Sequence, residues 1–164
     1  MSLGLAIFTA VHVLLSLVAI IAGLVMVSGM MKAKQTNRWA DLFLATATLT
    51  SVTGFLFPVH KLMPSHILGI LSLLVLAIAI FALYGRHLAG AWRRTYAISA
   101  VIALYMNFFV LIVQLFEKVP ALKALAPTQS EAPFKLAQLA LLIIFVLVGI
   151  MAAKSFSSAQ PRTA

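Results

Sequence analysis

The sequence holds no cysteine and only three acidic residues. The first absence excludes disulfides, thiolate metal sites and thiol redox chemistry. The second excludes a cluster of intramembrane acids, because Asp41, Glu117 and Glu131 all fall at or beyond the ends of apolar runs. That counts against a proton-coupled transporter built on buried carboxylates. There is also no nucleophile elbow, no glycine-rich phosphate loop and no HExxH pair, so the common hydrolase, nucleotide and zinc-protease signatures are missing.

Charge of either sign is scarce. Charged residues make up 9% of the 164 positions, against 63% hydrophobic. A soluble domain of this size exposes much of its surface and has no way to hide so many apolar side chains, so the bilayer must cover them. The chain is therefore expected to be all-α and polytopic, a single membrane domain over residues 1–164. The net charge of +9 does not imply nucleic acid. Its Lys and Arg side chains sit in short gaps between apolar runs, with no basic arm or aromatic-basic motif to track a strand.

Crossing a hydrocarbon core of about 30 Å takes about 20 predominantly apolar residues in a helix, since every backbone polar group must be satisfied without water. Five stretches qualify, at about 3–31, 40–58, 65–84, 95–116 and 136–153. The first has no basic flank ahead of it and is too long for a signal-peptide core, so it is expected to remain as a span. Asp41 is expected in the first turn of the second helix, where the helix dipole favours an anion. Ser65 is placed to cap the third.

Orientation follows from the cations. Eight of the twelve (Lys32, Lys34, Arg38, Arg86, Arg93, Arg94, Lys154 and Arg162) fall on the side that is cytoplasmic if the N-terminus is outside. This predicts an outer N-terminus, a cytoplasmic C-terminus and a cytoplasmic tail over 154–164. Trp39, Tyr84, Trp92 and Tyr96 lie at the same boundary, as an interfacial aromatic belt would. Residues 117–134 form the longest connection, an outer loop whose piece from Val119 to Leu125 suits the membrane surface and which is placed to cover an outer pocket.

Within the spans, polar residues single out one end. His12, Ser16, Ala19, Gly23 and Met30 share one stripe of the first helix, which small residues mark as facing protein. His12 is therefore directed into the bundle, either to bond a neighbouring hydroxyl or carbonyl or to act as a ligand or proton carrier. His60 and His66 flank the outer turn, and imidazole suits a divalent metal or haem iron. A haem would pair His12 with His66, with His60 as a further metal ligand. His87 reads as a solvated loop residue.

Asn107 and Gln114 share a face of the fourth helix, and with Gln138 they offer either amide bonds between helices or a polar pocket near the outer ends. Thr46, Thr50, Thr53 and Gly54 form a face of the second helix. Threonines there can bond their own backbone and pack, or else line a narrow water path.

Thr53-Gly54-Phe55, Ser65-His66-Ile67-Leu68-Gly69, Ala103-Leu104-Tyr105-Met106-Asn107 and Leu125-Ala126-Pro127-Thr128-Gln129-Ser130-Glu131 together resemble small bacterial multi-pass membrane proteins of the domain-of-unknown-function type. The resemblance spans most of the chain and implies a bacterial cytoplasmic membrane but no activity. A looser similarity is to haem-b membrane cytochromes. Those often hold ligands near both faces, whereas here only the outer pair is available. The favoured expectation is a non-enzymatic bundle without a cofactor, binding lipid, a larger membrane complex or a second copy of itself. The alternatives are a haem-b or metal redox protein using His12 and His66, and a small-solute transporter or channel lined by Thr50, Asn107 and Gln114.

Overall fold

The computed structural model describes residues 2–57 and 64–159. Their regular structure is all helical, with no strand among them. α1 spans Leu3–Met31, α2 Asn37–Gly54, α3 Pro64–Ile80, α4 Trp92–Lys118, α5 Pro120–Leu125 and α6 Ala132–Ser158. Four stretches, Leu3–Met31, His66–Gly85, Trp92–Lys118 and Ala132–Ser158, are long and apolar enough to cross a membrane. The fifth expected span, α2, is 18 residues long and less apolar, carrying Arg38, Asp41 and the hydroxyls of Thr46, Thr48, Thr50, Ser51 and Thr53.

α1 starts on Ser2, whose hydroxyl accepts from the Leu5 amide at 3.3 Å. It ends in a left-handed turn at Ala33 (φ +56°), where the Lys34 amide reaches back to the Gly29 carbonyl at 2.9 Å. That bond satisfies a carbonyl the helix end would otherwise orphan. α3 runs on through one wider π turn, Phe81–Gly85, closed by Arg86 N–H to Phe81 C=O at 2.9 Å. His87 and Leu88 then take left-handed φ values of +48° and +58°. His87 is exposed, while Leu88 turns back into the core.

The long helices close a ring in the order α1, α2, α3, α4, α6, with α1 and α4 also touching across its middle. Small side chains make that crossing close. Ala19, Ala22, Ala97, Ala100 and Ala103 are all fully buried, and Phe43, Met26, Tyr96 and Phe156 fill the space between them. In a lipid environment such close packing replaces the hydrophobic drive that water would supply.

Several local expectations need correction. α2 begins three residues earlier than expected, so Asp41 lies beyond its first turn and instead accepts from the Tyr84 hydroxyl. α3 begins at Pro64, which puts Ser65 inside the helix rather than at its cap. Tyr96 is no belt residue: it is 2% exposed and its hydroxyl donates to Met26 Sδ at 3.4 Å. α6 reaches Ser158, so the first part of the expected tail is helical. The stretch 117–134 is not open loop, since it contains α5 and the start of α6.

Candidate functional site

The antiparallel order brings the N-terminal half of α1, the C-terminal end of α2, the start of α3 and the middle of α4 to one end of the bundle. A cavity of about 130 Å³ opens between them, lined by His12, Ser16, Thr50, His66, Ser72 and Asn107 among others. Four of these, His12, Ser16, His66 and Asn107, are residues that the sequence singles out. Thr50 also belongs to the polar face anticipated on α2.

His12 Nδ1 lies 2.8 Å from Thr53 Oγ1. The Thr53 hydroxyl also bonds the Leu49 carbonyl of its own helix at 2.7 Å. With its proton on that carbonyl it accepts from a ring protonated on Nδ1, and with the ring protonated on Nε2 it donates to Nδ1. The edge of the same ring meets Phe57 at 5.1 Å between centroids. His66 is buried and packs beside Phe55 at 5.7 Å. Gly69 makes that placement feasible, because a Cβ there would stand 2.9 Å from the Phe55 ring.

The other lining groups are only partly engaged. Asn107 donates through Nδ2 to the Ala103 carbonyl of its own helix at 3.1 Å, and the Ser72 hydroxyl donates to Met106 Sδ at 3.1 Å. Thr50 Oγ1 is buried with no hydrogen-bond partner among the described residues. An unpaired buried hydroxyl costs about 1–3 kcal/mol, which a polar guest in the cavity would offset.

The remaining expected site residues lie elsewhere. Gln114 is exposed, away from the cavity. Gln138 bonds the Phe109 carbonyl through Nε2 at 3.2 Å and so ties α6 to α4. His60 lies outside the described residues. Residues 117–134 do not line the cavity. Instead the loop is pinned to α4 by Gln129, which donates to the Val113 carbonyl at 3.0 Å. Sequence reading passed over Ser72, Phe55 and Met106. Only Ser72 left a trace, as a hydroxyl within the apolar run of α3, six residues beyond His66.

Among the described residues no group of three His, Cys, Asp or Glu side chains could hold a metal ion. His12 and His66, the pair expected to hold a haem, line the same cavity. Drug-sized ligands occupy pockets of about 300–1,000 Å³, and this cavity is well below that range. No protein-family model matches the chain, nor does any curated protein or solved structure.

Proposed function

We propose that this chain is a five-span protein of a bacterial inner membrane that binds a small, uncharged, hydrogen-bonding molecule in the cavity beside His12 and catalyses no reaction on it. In this reading α2 is the fifth span, the N-terminus is outside and the C-terminus is cytoplasmic. At about 1.5 Å per residue α2 is about 27 Å long, close to the hydrocarbon thickness. Its outer face carries Trp39, Leu42, Leu49 and Val52, all exposed and suited to lipid. The excess of Lys and Arg lies at the end opposite the cavity, which supports the orientation.

The observation that carries the binding function is the convergence of polar side chains from four helices, three of them strongly apolar, on one space. Polar groups in hydrocarbon are costly to keep and mark sites by default. The named groups supply hydroxyls, an amide and imidazoles, with no carboxylate, ammonium or guanidinium among the described residues of the lining. Their complement is a neutral molecule offering both donors and acceptors. A dry cavity of about 150 Å³ accommodates a benzene-sized guest of about six heavy atoms, and a comparable size is expected here.

The test is thermal unfolding of the detergent-purified chain with acetamide, glycerol and imidazole as trial ligands. A saturable rise in melting temperature with at least one of them, lost in Asn107→Leu, is expected by mass action. No saturable shift, or the same shift in the variant, would sink the reading. A haem Soret band that disappears in both His12→Ala and His66→Ala would replace it with a redox function. A reporter fused after Ala164 checks the topology, and a periplasmic signal would reverse it.

A further inference from the structure

A second, larger concavity lies on the opposite side of the bundle. It is a groove of about 330 Å³ between α4 and α6, with Gly149 among its lining residues. Its walls are apolar and half-exposed, as with Ile102 (39%) and Leu142 (42%). One end carries Arg94 and Lys154, and the other is closed by Tyr105, whose ring packs 5.7 Å from Phe145.

Two properties separate this groove from an ordinary lipid-facing surface. The first is its length. Arg94 and Tyr105 are eleven positions apart and Leu142 and Lys154 twelve, or about 17 Å along a helix. One leaflet of hydrocarbon is about 15 Å deep.

The second is uncompensated charge at one end. Arg94 and Lys154 are both exposed. The neighbouring Arg93 is already committed, donating from Nε to the Phe156 carbonyl at 2.9 Å with its guanidinium 4.3 Å over the Phe156 ring. The one acidic residue at that end, Asp41, accepts from Tyr84. Among the described residues, then, Arg94 and Lys154 stand at the membrane boundary with no carboxylate paired to either.

We infer that this groove is a binding site for one anionic phospholipid, with an acyl chain lying along Gly149 and the phosphate between Arg94 and Lys154. Basic pockets between spanning helices recognise acidic headgroups in this way. The inference uses only the membrane-spanning character of α4 and α6 and does not depend on the cavity beside His12.

Native mass spectrometry of the full chain in neutral detergent tests it, with phosphatidylglycerol and phosphatidylcholine of identical acyl chains. One phosphatidylglycerol per chain is expected, held in preference to phosphatidylcholine. Each cation near the surface contributes enough that the double variant Arg94→Gln, Lys154→Gln should weaken phosphatidylglycerol roughly 10- to 30-fold and erase the preference. Gly149→Leu should weaken both lipids by filling the groove. A Cβ at Gly149 meets only Val101 Cγ1, at an ordinary 3.5 Å, so the variant is expected to fold. If it melts lower than the parent, the exposed charge pair carries the test alone.

Asn107→Leu should leave lipid binding unchanged, which separates this result from failure of the cavity reading. Equal retention of the two lipids, unaffected by the charge variant, would overturn the inference. So would displacement by equimolar inorganic phosphate, which would indicate a free-anion site. A dimer abolished by Gly149→Leu with no lipid retained would overturn it as well, making the groove a contact between copies of the chain.

Discussion

His12 Nδ1 on α1 and Thr53 Oγ1 on α2 share a hydrogen bond of 2.8 Å, joining residues 41 apart in sequence. The Thr53 hydroxyl also bonds the Leu49 carbonyl of its own helix at 2.7 Å. A double-mutant cycle with His12→Ala and Thr53→Val should give a coupling energy of about 0.6 kcal/mol, reaching about 1.7 kcal/mol where the bond is well shielded from water. Equilibrium unfolding in mixed detergent micelles measures it. Thr53→Ser keeps the hydroxyl and should retain most of the coupling, whereas a coupling near zero would show that the two side chains do not act on each other.

Gly23 sits where α1 meets both α2 and α4. A Cβ there would stand 2.5 Å from Leu104 Cδ1 and 3.0 Å from the Phe43 ring. Both neighbours are fully buried and have little room to retreat. Gly23→Ala should therefore destabilise the bundle by about 1–3 kcal/mol, the usual range for overpacking. Adding Leu104→Ala opens space at the closest contact, so the double variant should lose less than the two single losses combined. Strict additivity in the same unfolding measurement would argue against the close approach.

The polar end of the bundle was legible in the sequence because an imidazole or amide in an apolar run has few tolerable directions. For His12 the small residues on the same stripe gave the direction. Gln114 failed because it lies near the end of α4, where a polar side chain can face outward at little cost. Tyr96 failed for the converse reason. α4 begins at Trp92, which sets Tyr96 one turn inside the helix and facing Met26 rather than the interface. Asp41 was misplaced by the three-residue error in the start of α2. Its pairing with Tyr84, like that of His12 with Thr53, depends on which helices become neighbours, and no local pattern encodes that.

Arg93 and Arg94 adjoin in sequence but do different work, and lysine substitution should tell them apart. The Arg93 guanidinium lies 4.3 Å over the Phe156 ring while its Nε–H bonds the Phe156 carbonyl, so it clasps α4 to the end of α6. Lysine keeps the charge and loses both the planar face and the fixed donor. Arg93→Lys should cost about 1 kcal/mol of stability. Arg94→Lys should cost nothing measurable in unfolding, because charge alone suffices at the groove. Equal effects of the two substitutions would contradict the division of roles.

The turn before α6 gives the molecule an acid-sensitive element outside the spans. The Glu131 carboxylate accepts from the Thr128 hydroxyl at 2.8 Å and from the Ser130 amide at 3.1 Å. These bonds, that from the Thr128 hydroxyl first, hold its pKa below the ordinary 4.5. Because the charged form is favoured in the folded turn, its stabilisation is fully present above the ordinary value and is lost as pH falls through the lower folded one. Amide exchange at residues 128–131 should stay slow, relative to the intrinsic rate, from neutral pH down to that window and quicken below it. Glu131→Gln should abolish the pH dependence, and Thr128→Val should move its onset to higher pH by removing the leading donor. Gln129 is not ionisable and its bond to the Val113 carbonyl survives acid, so the loop should stay docked on α4 while the turn opens. Release of the whole loop at the same pH would show that Glu131, and not Gln129, is what holds it.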